Sequence, residues 1–284
     1  MNMHDWSLIL YTLCLQSSVG IYVASRLVLW NAESKEARMR FLYLALGLGI
    51  AGVLASLTHL GYPLNALKTM GNLGTSWLSR EILLTLLFGV TGIASVVLER
   101  QEVGSRETRN GWAVLTSLAG LALIYVMSMI YRTTAFPAWT HVSTTLVFYA
   151  TAGLIGTSAV FAGLCCRTGG EEPRGLMGLV VGAMAMLALQ VMALALHGVY
   201  LGTAGPEAQA TAALIAGEWS ALYWGQIVCI AAGTGIMMPL VWRRVAQKKL
   251  ANMPQFAGAL VALVALGELA GRVVFYATRV KIGL

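Results

Sequence analysis

The ionisable side chains inside or at the edges of long apolar runs in this sequence include His59, Glu81, Arg132, His141, His197, Glu218, Glu268 and Arg272. A charge held in a hydrocarbon layer costs about 3 kcal/mol or more, so each position calls for a partner or a purpose. His59 and Glu81 carry the most chemistry. The second apolar run ends at the histidine and the third begins at the glutamate, so one connecting loop brings them to similar depth on adjacent helices. A neutral imidazole accepts a hydrogen bond from a phenolic hydroxyl, and a carboxylate away from water can take or relay a proton. A quinol that gives up two protons and two electrons needs both. The same placement also suits two interfacial residues that bond each other or nearby backbone, and the residues alone leave both readings open.

Glu268 and Arg272 stand four apart and can pair on one helix face, as a charge-neutral brace or as part of a proton exit. Gln16, Gln190 and Gln226 read as hydrogen-bonding links between helices, and His141 and His197 as histidines satisfied at the interface. Two histidines at matched depth would be needed for haem; His59 with His197 or His141 fits only formally. Cys14, Cys165, Cys166 and Cys229 show no C-x-x-C spacing, so no disulfide framework, zinc site or iron–sulfur cluster is expected, and no metal.

These residues need elements to carry them, and composition says which. Of 284 residues, 58% are hydrophobic and 11% charged, against roughly 25% charged in soluble domains. The apolar residues gather into eight runs, approximately 6 to 30, 41 to 61, 78 to 98, 111 to 131, 140 to 165, 176 to 200, 219 to 241 and 255 to 277. That predicts an all-α integral membrane protein with eight transmembrane helices in one domain, and no separate soluble domain. The N-terminal segment has no basic region ahead of the first run and reads as a retained helix rather than a signal peptide. The net charge of +7 belongs to loops and not to a nucleic-acid surface. Twelve Lys and Arg residues lie in the loops after the first, third, fifth and seventh runs, against four on the other side, which puts both termini in the periplasm of a bacterium. All four histidines and the in-membrane carboxylates then fall toward that outer side, with no matching cluster deep on the inner side.

The six prolines read as loop or helix-end residues, so no helix break is expected at mid-membrane. Apart from Trp224, a turn or so inward, the tryptophans fall at run ends, as interfacial rings do. Gly178 with Gly182, and Gly267 with Gly271, predict close helix packing. His59, Glu81 and Arg132 recur as His197, Glu218 and Arg272 at a nearly constant offset, an echo that allows a parallel duplication with halves 1–139 and 140–284.

Four strings, His59-Leu60-Gly61-Tyr62-Pro63 with Ala66, Leu78-Ser79-Arg80-Glu81-Ile82, Pro137-Ala138-Trp139, and Gly267-Glu268-Leu269-Ala270-Gly271-Arg272-Val273-Val274-Phe275-Tyr276, resemble the membrane-anchor subunit of bacterial dimethyl sulfoxide reductases, within the polysulfide-reductase-like integral subunits. The resemblance covers the whole chain. It implies an inner-membrane, multi-pass subunit that anchors a periplasmic molybdopterin enzyme and its four-cluster iron–sulfur subunit, and that oxidises menaquinol without a haem or cluster of its own. The family histidine carries over to His59 as a quinol ligand, and the acidic residue to Glu81. Arg132, Glu268 and Arg272 complete the candidate quinol-binding set. No family role transfers to His141 or His197.

A protein without metal ligands must bind its electron donor close to an acceptor on another subunit, so quinol site and partner should share a face. The loops 62 to 77 and 201 to 218 are the candidates to dock the iron–sulfur subunit. Two rival functions stay in view, a proton-coupled transporter working through Glu81, Glu268 and Arg272, and a purely structural anchor. The terminal acceptor is chosen by the catalytic subunit and is not readable here.

Overall fold

The computed structural model describes residues 3–30, 34–58, 71–166, 175–249 and 251–282, apart from the His4 side chain. His59 and the rest of its motif, through Ala66, lie outside the described residues. The described segments are helical throughout: α1 (Met3–Leu29), α2 (Lys35–Leu57), α3 (Trp77–Gln101), α4 (Arg106–Arg132), α5 (Pro137–Thr140), α6 (Ser143–Cys165), α7 (Leu176–Thr203), α8 (Pro206–Ala216), α9 (Ser220–Ile230), α10 (Met238–Ala246) and α11 (Met253–Ala277). A π-helical stretch, Ala231–Met237, joins α9 to α10, so these three form one span. With that span counted once, eight helices among the described residues are long and apolar enough to cross a membrane, as expected.

Local chemistry sets several starts. Ser34, Ser76 and Ser105 each accept a backbone N–H from the third residue of the helix they open, at 3.2, 3.3 and 3.2 Å. Each such cap contributes about 1 kcal/mol and fixes where α2, α3 and α4 leave their loops.

α1 is the most thoroughly buried span, packed against α2, α4, α6 and α11. Its contact with α6 is made by bare backbone: a Cβ on Gly20 would lie 1.9 Å from the Ala152 carbonyl oxygen, and one on Gly156 would lie 2.3 Å from Gly20. By contrast α2 and α3 touch each other far less than α2 touches α1, which leaves a gap between them.

Both termini lie at one end of the bundle, tied by Arg279 to Asp5 at 2.8 Å. The Ser7 hydroxyl reaches the Ala55 carbonyl and accepts from Thr58 at 2.9 Å, so the close of α2 shares that end. The opposite end holds a feature contrary to the sequence-based expectation. Arg26 and Glu99, 6% and 4% exposed, pair at 3.4 Å, and Arg38 reaches the same carboxylate at 2.7 Å. Arg26 lies inside the first apolar run, where a tally of loop charges passes over it.

Four more expectations are corrected. Residues 201–218 are not a plain loop but contain α8. Pro239 is not at a span end; it opens α10 just after the π-helical stretch, within Ser220–Ala246. A proline lacks the N–H that an unbroken helix needs, and the wider π turn is a known way to absorb such a defect. Trp139 is no interfacial ring but a 6% exposed core residue stacked on Phe275. Gly267 and Gly271 do pack closely, since a Cβ on Gly271 would meet Gln226 Oε1 at 1.9 Å, whereas Gly178 faces nothing within 4 Å and Gly182 only Thr157 at 3.7 Å. The first pair admits α9 to α11; the second leaves an open apolar furrow.

Candidate functional site

Glu81 sits in the second turn of α3 and is 7% exposed. The neighbouring Arg80 turns away from it, donating to the Leu73 and Gly74 carbonyls at 2.8 and 2.6 Å with its guanidinium 4.3 Å over Trp77. The partner of Glu81 is instead the Tyr11 hydroxyl of α1, which donates to the carboxylate. A hydroxyl solvates a carboxylate without neutralising it, so Glu81 remains a group that can exchange a proton.

One turn deeper on the same face, Thr85 opens an apolar groove between α1, α2 and α3, about 710 Å³ with its mouth included. Gly49, Gly89 and Gly92 line it, and the last two have no neighbour within 4 Å of where a Cβ would stand. Its lips are the half-exposed Ile50, Leu54 and Ile93, so it opens sideways, toward what would be lipid. His59 lies outside the described residues; its sequence neighbour Thr58 caps α2 at the Glu81 end of this groove.

Glu268 and Arg272 are both 3% exposed but do not form the expected ion pair; each is taken by another helix. Arg272 donates to Gln16 Oε1 of α1 at 2.6 Å and lies 4.2 Å over the Phe148 ring. Glu268 Oε2 accepts the Thr151 hydroxyl of α6 at 2.7 Å, while its Oε1 has no protein partner among the described residues. Two tyrosines, Tyr131 and Tyr276, stand hydroxyl to hydroxyl, each within electrostatic reach of both Glu81 and Arg272. Glu81, Arg272 and Glu268 thus belong to one buried polar region at the terminus-bearing end.

Arg132 does not join them. It is half-buried at the end of α4, donating to the Thr140 carbonyl at 3.5 Å and to Thr145 at 3.4 Å. Glu218, the echo of Glu81, is exposed. Of the three glutamines, Gln16 does link helices, whereas Gln190 Oε1 is buried without a partner among the described residues.

The residues that sequence reading missed are Tyr11, Tyr131 and Tyr276. A signal existed: a tyrosine inside an apolar run must find a partner for its hydroxyl. Tyr131 precedes Arg132, and Tyr276 follows Arg272 by one turn. A cavity of about 690 Å³, open mouth included, adjoins this region and is lined by Glu268, Arg272, Gln190 and His197 among others. Among the described residues, no three His, Cys, Asp or Glu side chains gather into a metal-holding group.

Residues 1–278 match the family model described as DMSO reductase anchor subunit (DmsC). The protein belongs to this family. It is 28% identical over 99% of its length to the anaerobic dimethyl sulfoxide reductase subunit YnfH of Escherichia coli K12, covering 97% of that protein. It is 26% identical, with the same coverage, to the C subunit of anaerobic dimethyl sulfoxide reductase from the same organism. A 169-residue stretch is 31% identical to the corresponding C subunit of Haemophilus influenzae Rd, spanning 57% of this protein and 59% of that one. As a DmsC-family subunit, the protein is a multi-pass membrane anchor of a molybdoenzyme complex in the bacterial inner membrane.

Proposed function

We propose that this DmsC-family subunit oxidises menaquinol at the Glu81 end of the α1–α2–α3 groove and passes the electrons to an iron–sulfur partner. The observation that carries this reading is a buried carboxylate, hydrogen-bonded by a tyrosine, at the head of a lipid-facing apolar groove. A quinol is amphipathic in the same sense: its isoprenoid tail suits the glycine-lined groove, and its hydroxyl suits the acceptors at the top. His59 accepts one phenolic hydrogen bond, and Glu81 takes a proton as the ring is oxidised. Two electrons leave for the partner's nearest cluster, and two protons leave by way of the polar region. Arg272 and Glu268 act behind the ring, holding the electrostatics of that region, and Arg132 braces the neighbouring segment.

A DMSO-reductase-type enzyme is the final electron consumer, by analogy with the relatives, and menaquinol is the donor that the family resemblance implies. The twelve-to-four asymmetry of loop charges supports a periplasmic site. The partner complex, an iron–sulfur subunit and a molybdopterin subunit, would then dock on the same face over the 62–77 and 201–218 segments.

His59→Arg and Glu81→Gln variants of the assembled complex test this. The expected result is loss of menaquinol-driven dimethyl sulfoxide reduction, with reduction driven by reduced viologen, which feeds the catalytic subunits directly, retained. A normal menaquinol-driven rate in either variant would overturn the reading.

A further inference from the structure

The cavity beside Glu268 adjoins the polar region but is separate from the groove, and nothing above gives it a role. Two of its lining residues, Glu268 and Gln190, are 3% exposed, and the Oε1 atom of each has no protein partner among the described residues. A buried carboxylate oxygen left without a hydrogen bond is strongly disfavoured, and a cavity next to it that also offers other polar groups is the place where water supplies one. His197 lines the same cavity toward the terminus-bearing end.

From His197 a defined hydrogen-bond relay continues. Ser143 Oγ lies 3.0 Å from His197 Nδ1 and 2.9 Å from His141 Nδ1. The Ser143 backbone N–H also donates to His141 Nδ1, at 3.3 Å, which makes that nitrogen an acceptor. The serine hydroxyl must then donate to His141 and accept from His197 Nδ1–H. The relay therefore has a direction, from the cavity, through His197 and Ser143, to His141. The His141 ring is stacked on Tyr200 with centroids 4.5 Å apart, and is partly exposed.

We propose that this water-holding cavity and the His197–Ser143–His141 relay form a proton exit that carries protons from Glu268 to the terminus-bearing surface. This rests on quinol oxidation as the proton source. A proton on the Glu268 carboxyl passes to cavity water and then to His197 Nε2. The imidazolium releases its Nδ1 proton to Ser143, whose own proton moves to His141. Nε2 of His141 discharges to solvent, and the relay resets when both imidazoles return to their starting tautomers, through a ring flip or exchange with cavity water and solvent, and the serine hydroxyl turns back toward His141. Desolvation, then the charge of Arg132, holds His141 below the usual histidine range, which favours release. Tyr131 and Tyr276, within electrostatic reach of Glu81 and Arg272, supply hydroxyls for the leg that starts at Glu81.

The test uses the whole complex with menaquinol as donor and compares His197→Ala, Ser143→Ala and Glu268→Gln with Glu81→Gln. His197→Ala should slow menaquinol-driven turnover by about a hundredfold, added imidazole should restore much of it, and the solvent deuterium isotope effect should rise. Ser143→Ala, a minimal change, should show the isotope effect even if His197→Ala assembles poorly. Glu268→Gln should slow turnover without rescue. Unchanged turnover in all three, with Glu81→Gln inactive, would sink the exit path while leaving the quinol site standing. A loss that imidazole does not relieve and that leaves the isotope effect unchanged would mark His197 as structural and overturn the proposal too. If Glu81→Gln kept full activity, the quinol reading itself would fail.

Discussion

The guanidinium of Arg272 donates to Gln16 Oε1 across 2.6 Å and not to Glu268, four residues back in the same helix. The bond ties the last span to the first, 256 positions away in sequence. It leaves Glu268 free of a direct ion pair and therefore able to gain and lose a proton. Gln16→Leu removes the acceptor of a buried cation. The expected cost is about 2 kcal/mol, the value of a hydrogen bond to a charged group, seen as a lower thermal unfolding temperature of the purified complex. An unchanged midpoint would mean that Arg272 is satisfied in some other way.

Gly89 and Gly92 face open space, so larger side chains fit there without displacing protein atoms. Gly89→Leu and Gly92→Leu should assemble normally and obstruct the groove. The KM for menaquinol should rise while viologen-driven reduction stays normal, as read by steady-state kinetics with the two donors.

The ionic trio of Arg26, Arg38 and Glu99 packs the other end of the bundle. Breaking a buried pair by removing one partner costs about 3–5 kcal/mol, because the remaining charge stays buried. Arg26 already has two nitrogens without partners among the described residues, which makes it the more exposed to this loss. Glu99→Gln should reduce the amount of assembled complex and its melting temperature, with the KM for menaquinol in the surviving fraction unaltered.

His141 gives a pH dependence whose sign can be stated. Its ring is held below the usual histidine value by desolvation and by Arg132. The unfolded polypeptide therefore binds this proton more readily than the folded one, so folding stability rises with pH through the window below about 6.5 and is lost as pH falls. Replacing His141 by Gln should flatten that part of a melting-temperature profile between about pH 5 and 7, and Arg132→Gln should shrink the slope there, since it removes one of the two causes that hold the ring's affinity for the proton down.

The eight spans were legible because hydrocarbon burial demands long uncharged runs, and the end holding Glu81 and Glu268 followed from alternation alone. Gly267 and Gly271 announced a tight contact correctly. What stayed hidden depended on partners far away in sequence. Nothing near Arg272 points to Gln16 rather than Glu268. Nothing near Glu99 points to Arg26. The contact of Gly20 with Gly156 needs both helices in place before either glycine means anything. The π-helical stretch before Pro239 is hidden because a proline near a run's end looks like the end. Tyr11, Tyr131 and Tyr276 are easily passed over because a tyrosine within an apolar run blends into it, although its hydroxyl must be satisfied when buried.

The most direct test of the central claim is photo-crosslinking of the intact complex with an azido-menaquinone, followed by mapping of the labelled peptides. Label is expected on the lips of the groove, in the segments around Ile50–Leu54 and Gly89–Ile93, with excess menaquinone suppressing it. Label confined to α7, α9 or α11, or label that menaquinone does not displace, would contradict a quinol site in this groove.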